Sequence, residues 1–522
     1  MYRTTKPRVP PKRLNLPVKS ERRHAVNAMN AVTLSVRAIL VFMHLASCPL
    51  LGHADPALSH LDLHANQYTQ ELIDLVNIPS ISSLPEHAND MLAAATWLET
   101  RLRTAGLEEV NIYPTNAQPL VYGQWLHAKG APTVLIYGHY DVQPVDPLEL
   151  WKTSPFDAQL LNGEFLGRGV ADDKGGLLQP IQAVEALLAT SGGKLPVNVK
   201  ILLEGQEEVG SPDFAAFLRS HKSLLKADYA LSADGGQMFQ DQGILAIGLR
   251  GAVAVEVTLQ TLSSDQHSGM KGGSVLNPIN ALAKLLAGMV DDNNHITVKG
   301  FYDNVKEIDA EDKEDLAAFP FDEEAELASL GAALPVGEKG FTTLERRWLR
   351  PTLDVVGIYG GFQGVGIKTI VPSKATAKIS CRIVPNQNPD KIIKALESHV
   401  KEHAPAAANV TFKTLGFKAF PYSMPKDTIV NNAASKVLQE VTGKPTFYYR
   451  EGGTIPAMAL LKKELGIDMT MFGFGLPDDR IHAPNERYRE NMYKTGRIAY
   501  VKLLQRIGGL AEMNVGHDSS EL

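Results

Sequence analysis

Apolar residues recur at three- and four-residue spacing over Leu61 to Ile78 and over Met91 to Leu107, where Gly106 closes the series. Both stretches are predicted amphipathic helices. Short apolar runs follow at Val134-Leu135-Ile136-Tyr137, Val199-Lys200-Ile201-Leu202-Leu203 and Tyr229-Ala230-Leu231. Between the first two, Leu177, Ile181, Val184 and Leu188 line one face of a predicted helix over Leu177 to Leu188, in which Pro180 is tolerable only because it is early. Continuous apolar strands separated by helices predict a parallel sheet covered on both faces.

The pattern changes near Gly248. Val253, Val255, Val257 and Leu259 alternate with Ala254, Glu256, Thr258 and Gln260, as do Ala377, Ile379, Cys381 and Ile383 with their neighbours, so each strand has one exposed face. A helix opens at Asn277-Pro278 and runs through Val290, another begins at Asp390, and a strand spans Val410 to Leu415. A helix from Thr428 to Val441 and a buried-type strand from Met469 to Phe474 restore the first style. The predicted class is therefore α/β, with a mixed, largely parallel sheet covered by helices and formed by residues 55–247 and 419–522. An α+β domain over 248–418 interrupts it.

Composition narrows the function. With 52 Lys+Arg, 58 Asp+Glu, 44% hydrophobic residues and 2 Cys in 522 residues, a disordered chain and a disulfide-stapled one are excluded. No basic excess exists to neutralise a phosphate backbone, so nucleic acid is not an expected partner. Residues 1–54 stand apart: nine Lys/Arg against the single acid Glu21 precede Ala38-Ile39-Leu40-Val41-Phe42-Met43 and a small-residue site at Gly52-His53-Ala54. This reads as a signal peptide with a long basic region, predicting export to the periplasm; lipid anchoring at Cys48 ranks second. The apolar run is too short to span a bilayer, which takes about 20 residues. Cleavage there would leave Cys381 without a disulfide partner. The acidic tract from Lys306 to Leu330 reads as a solvated surface helix and insertion.

Chemistry concentrates where the buried strands end. His139 and Asp141 follow VLIYG, Glu207 and Glu208 follow KILLEGQ, Asp234 follows YALSA, and Asp172-Asp173 precede a Gly-Gly helix start. Ligands of open parallel sheets bind beyond the carboxyl ends of the strands, so these side chains are expected to converge. Singly they have ordinary explanations: helix capping for Asp172 and Asp173, a turn for Asp141, solvated loops for Glu207-Glu208, and a turn for His482. Together they are costly unless a cation or substrate neutralises them. Imidazole and carboxylate without thiolate suit zinc, with manganese or cobalt possible, and the surplus of ligands favours two metals over one.

The motifs YGHYDVQP (137–144), GRGVADDKGG (167–176), EGQEEVGSP (204–212), SADGG (232–236), DQHSGMKGG (265–273), SCRIVPNQ (380–387), REGGTIP (450–456) and HAPNER (482–487) resemble, in order, those of the co-catalytic zinc peptidases. That family includes carnosine dipeptidases, glutamate carboxypeptidase and acetylornithine deacetylase, and the likeness is greatest to the carnosinase-type branch. The resemblance implies a zinc-exopeptidase fold whose inserted domain is a lid and dimerisation surface. It assigns His139 and Asp234 to one zinc, Glu208 and His482 to the other, and Asp172 to both, with a cis Asp172-Asp173 peptide. Asp141 would orient His139, Glu207 would be the general base, and His267 would steady the oxyanion, often across a dimer interface. Arg382, with Gly452, Gly453 and Thr454, would hold the substrate carboxylate. One departure is Gly235 after the metal-binding Asp234, where many dipeptidases carry Asn or Thr.

The expected protein is thus a homodimeric two-zinc exopeptidase acting on dipeptides or on the C-terminal residue of short peptides, through a metal-bridging water activated by Glu207. An N-acyl amino-acid deacylase is the first alternative. A non-catalytic metal- or peptide-binding protein is the second, disfavoured because Glu207 is not needed to bind metal.

Overall fold

The computed structural model describes residues 55–517, so the expected secretory segment over 1–54 lies outside the described residues. A six-stranded sheet runs in the order Glu108–Tyr113, Leu120–Trp125, Asn198–Glu204, Thr133–His139, Tyr229–Ser232, Met469–Met471. The last four strands are mutually parallel and only Leu120–Trp125 runs against its two neighbours, which makes the sheet mixed and largely parallel. Val134, Ile136, Val199, Ile201 and Leu203 enter a core with Leu177, Ile181 and Val184 of the Lys174–Thr190 helix. Their neighbours Leu135, Tyr137 and Leu202 enter the opposite core with Phe214, Met458 and Leu461. Successive side chains of a strand point to opposite faces, so two-sided burial is what makes these runs continuously apolar. Each such side chain contributes about 1.5–3 kcal/mol, enough to specify register strongly.

Several predicted boundaries shift. The first helix divides into Pro56–Leu63 and Ala65–Val76 at His64; it starts early because Asp55 accepts from Ala57 N at 2.8 Å and Pro56 takes the first helical position. The second spans Ala88–Thr104, with Gly106 at φ +91 beyond its end. Pro180 lies in the second turn of its helix, deeper than expected. The cost of an interior proline, about 3 kcal/mol for lost hydrogen bond and ring clash together, is offset by the burial of Leu177, Leu178, Ile181 and Ala183 around it.

Residues 251–419 supply a separate antiparallel sheet in the order Thr352–Gly360, Lys374–Ile383, Gly251–Gln260, Asn409–Ala419. The alternating residues Val253 to Leu259 and Ala377 to Ile383 pack on Leu282 and Leu285 of the Pro278–Ala287 helix and on Ile392, Leu396 and Val400 of the Pro389–His403 helix. Asn277 caps the former, accepting from Ile279 N and Asn280 N. The edge strand Thr352–Gly360 escapes prediction because it exposes both faces, leaving Val356 64% and Ile358 53% accessible.

The acidic tract is not simply solvated. It forms the helices Ala310–Ala318 and Glu323–Leu330, and Asp312 is buried against Arg450 while Lys426 donates to Asp315 at 3.0 Å. Phe319 packs edge-on against Trp348, 4.9 Å between ring centroids. Most of the segment is exposed, as expected of a solvated surface helix, but Asp312 and Asp315 meet cations more than a hundred residues away, which charge composition alone does not reveal.

Candidate active site

Strand direction delivers the acids and histidines to one rim. His139 ends its strand, the Glu207–Val209 turn follows the strand ending at Glu204, and Asp234 lies two residues beyond Ser232. Asp173 occupies the N-cap position of the Lys174–Thr190 helix without capping it; its carboxylate instead accepts from His139 N at 3.2 Å. The glycines around it permit this approach. A Cβ on Gly176 would lie 2.0 Å from Asp173 Oδ1, and one on Gly138 would lie 2.9 Å from Asp173 Oδ2. The Asp172-Asp173 peptide is cis.

Two groups of side chains able to hold a metal ion result: His139, Asp172 and Asp234, and Asp172, Glu208 and His482, with ligand atoms within 4.8 Å of one another in each. Asp172 belongs to both. Its Oδ1 is 3.0 Å from His139 Nε2 and its Oδ2 is 2.9 Å from His482 Nε2, while Glu208 Oε2 is 3.1 Å from the same His482 nitrogen. Glu207 belongs to neither group. Asp141 is fully buried behind His139, whose Nδ1 is 3.4 Å from Asp141 Oδ1 and 3.1 Å from Asp141 O. The same carboxylate accepts from Glu207 N at 3.2 Å and Glu208 N at 3.1 Å, so one residue orients both the imidazole and the turn carrying the two glutamates.

Charge is unbalanced here. Burial, reinforced by Asp234 and Glu208, pushes the Glu207 carboxyl well above its usual range, and burial with Asp172 and Glu208 nearby pushes Asp234 up to about 7. Burial and Asp172 also raise Glu208. Burial opposes ionisation of His139, yet Asp141 and Asp172 hold its pKa well above the ordinary value; Asp172 and Glu208 raise His482 to about 10. Carboxylates crowded out of water are neutralised by protons or by cations. Five of these side chains form two closed sets of nitrogen and oxygen donors, so the residues fit divalent metal ions.

A second cluster forms around the Gly452–Thr454 loop. Arg382 Nη1 donates to Thr454 Oγ1 at 2.9 Å, Thr454 Oγ1 donates to Arg250 O at 2.6 Å, and Arg250 Nε donates to Gly452 O at 3.1 Å. Gly453 N donates to Glu451 Oε1 at 3.0 Å. Burial and then Arg382 lower Arg250 to about 10, as two guanidiniums held near each other require. His267 is exposed on the short Gln266–His267 strand, its Nδ1 accepting from Gly269 N at 3.1 Å, and it is in neither metal group.

His139, Asp172, Glu208, Asp234 and His482 therefore come together and Arg382 meets Thr454, whereas His267 is in neither metal group; the supports of these residues were not anticipated. Ser82 Oγ donates to Asp141 Oδ2 at 2.6 Å and Gln143 Nε2 to Glu208 Oε2 at 2.9 Å. Gln143 lies inside a recognised motif and Arg250 immediately precedes the inserted sheet; Ser82 carries no signal of its own. Glu486, the acid of HAPNER, accepts from the backbone of the Asp172 loop.

Residues 135–506 match the model for peptidase family M20/M25/M40. The chain is 30% identical over 446 residues to the Cys-Gly metallodipeptidase dug1 of Schizosaccharomyces pombe, covering 82% of this chain and 92% of that one. It is 28% identical over 473 residues to the Beta-Ala-His dipeptidase of Rattus norvegicus, covering 86% and 94%. Among solved structures, the M20 family metallo-carboxypeptidase Sso-CP2 from Sulfolobus solfataricus superposes with a TM-score of 0.77 at 32% identity, covering 85% of this chain and 99% of that one. These matches correct one expectation. The relatives are named only as metallodipeptidases and dipeptidases, and none of them points to export, so the periplasmic placement and the lipid at Cys48 are withdrawn. Among the described residues no helix is long and apolar enough to cross a membrane.

Proposed function

The chain belongs to peptidase family M20/M25/M40, and from that premise we propose that it is a two-metal exopeptidase that hydrolyses dipeptides or releases the C-terminal residue of short peptides. The observation carrying this reading is that two metal-competent groups share Asp172 while the half-buried Glu207 beside them belongs to neither. A ligand set of imidazole and carboxylate, without thiolate, supports zinc, and manganese or cobalt accept the same donors.

Two divalent cations at such a site supply Lewis acidity and lower the pKa of water. His139 and Asp234 would hold one, Glu208 and His482 the other, and Asp172 both. Asp141 orients the His139 ring and keeps the Glu207-Glu208 turn in register with it. Glu207 takes the proton from the attacking water and returns it to the leaving amine, which its position outside both ligand groups leaves it free to do. Arg382, with Thr454 and the Gly452-Gly453 backbone, grips the substrate carboxylate.

Residues 248–418 act in this reading as a lid and dimerisation domain between the catalytic parts 55–247 and 419–522. Support comes from their separate core and from the edge strand Thr352–Gly360 with its exposed Val356 and Ile358. An unpaired apolar edge is a template for a second chain, and His267 on the same domain would act across that interface. Sedimentation is expected to give a dimer, and Val356→Glu with Ile358→Lys a monomer of reduced kcat. A monomeric wild type at assay concentration rejects the dimer.

The activity itself is tested with metal-reconstituted protein on dipeptides, C-terminally amidated dipeptides and N-acyl amino acids. Dipeptides are expected to turn over fastest; preference for N-acyl amino acids makes it a deacylase, and no turnover makes it a binding protein. In the same assay Arg382→Ala should raise KM for free dipeptides about 10- to 100-fold, as loss of a charge-assisted hydrogen bond of ~1.5–3 kcal/mol predicts. The amidated series lacks the carboxylate and should change little.

A further inference from the structure

Glu486 is fully buried, yet the proposed mechanism gives it nothing to do. Its Oε2 accepts from Arg168 Nη1 at 2.8 Å and from Gly169 N at 2.9 Å, and its Oε1 accepts from Ala171 N at 3.0 Å and Asp172 N at 3.2 Å. Its own carbonyl accepts from Gly167 N at 3.2 Å. Arg168 is equally buried, donates Nη2 to Pro144 O at 3.1 Å and lies over the Trp151 ring at 5.3 Å. One carboxylate thus gathers three backbone N–H groups of the loop that ends at Asp172, and its ion-pair partner reaches the loop that follows His139.

A purely structural role explains this poorly. A buried ion pair is a weak stabiliser, because desolvation of both charges offsets their attraction and a packed apolar pair serves as well. What an apolar pair cannot do is fix the direction of three N–H groups. Glu486 also lies four residues beyond His482, so one short segment brings a side chain to Asp172 and holds the backbone of Asp172 from behind.

We propose that Glu486, held by Arg168, is the positioning residue that sets the Asp172 carboxylate between His139 and His482, so that both metal ions depend on it. The inference rests on reading Asp172 as the shared ligand. It also explains why HAPNER extends past its histidine: the acid serves the loop 314 residues earlier rather than a metal.

The test titrates Zn2+ and Co2+ into metal-free Glu486→Gln, the charge-balanced double variant Arg168→Met/Glu486→Gln, and Asp172→Ala. Cooperative thermal melting is first confirmed without metal. Glu486→Gln is expected to lose about 10- to 100-fold in affinity for both ions, the range typical of groups that orient metal ligands. The exchange coupling between two bound Co2+ ions, read by electron paramagnetic resonance, should be altered, and kcat should fall with KM unchanged. Wild-type affinity and coupling in a folded Glu486→Gln overturn the inference. So does failure of both the single and the double variant to fold, which would make the pair a folding element. If Glu486→Gln binds normally while Asp172→Ala loses both ions, only this inference fails; if Asp172→Ala keeps both ions, the shared-ligand reading fails with it.

Discussion

Glu207→Gln should keep two metal ions and a near-normal KM while kcat falls by about 10²- to 10⁴-fold, the contribution of a positioned proton-transfer group. The expectation follows from a contrast between neighbours. Glu208 shares a metal-competent group with Asp172 and His482, whereas Glu207 lies outside both groups although Asp141 holds the two backbones alike. Glu208→Gln should therefore weaken metal binding, because an anionic oxygen ligand is removed. Steady-state hydrolysis and metal content measured on the same samples separate the two variants. Near wild-type turnover in Glu207→Gln, or metal lost from it and retained in Glu208→Gln, rejects the assignment.

Asp172→Ala should lose both ions together and with them essentially all activity. Its Oδ1 faces His139 and its Oδ2 faces His482, so no other side chain substitutes for it in either group. Loss of affinity should exceed the about 10- to 100-fold typical of an outer hydrogen-bond partner. Thermal melting gives an independent reading. Metal at about 100 times its Kd stabilises a folded protein by ~2.7 kcal/mol per site, so the wild type should melt higher as Zn2+ is added and Asp172→Ala should not. One ion still bound at wild-type affinity, with a matching rise in melting temperature, would mean that the two sites are independent.

Much of the candidate site was legible from the chain because its residues follow local rules. A strand buried on both faces must be continuously apolar, and the first polar residues after it stand at its carboxyl end; His139, Glu207, Glu208 and Asp234 are found that way. The Gly-Gly after Asp172-Asp173 marks the helix start that brings them to the same rim, and in the structure Asp173 and Ala233 O fill the space a Cβ on Gly176 would need. Arg382, placed on the polar side of an alternating strand, does meet Thr454.

The supports of that site were not legible. Ser82, Gln143, Arg250 and Glu486 act through hydrogen bonds to backbone or carboxylate atoms far away in the chain, and no periodicity marks a residue for such a contact. The tract from Lys306 to Leu330 is largely exposed as expected, but its ion pairs with Arg450 and Lys426 were hidden for the same reason, since those cations reach it only after folding.

By itself, the sequence determined the longer amphipathic helices, the strands that are buried on both faces or alternate cleanly, and which titratable residues stand at the strand ends; it missed the strands Glu108–Tyr113, Leu120–Trp125 and Thr352–Gly360. Those properties follow from side-chain periodicity and the transfer of apolar surface out of water, both local to each element. Tertiary structure alone decided that Asp141 holds the Glu207-Glu208 turn as well as His139, and that Glu486 holds the Asp172 loop. Partner choice depends on where distant segments cross, and a buried polar group takes whatever donor the crossing supplies because leaving it unpaired costs about 1–3 kcal/mol.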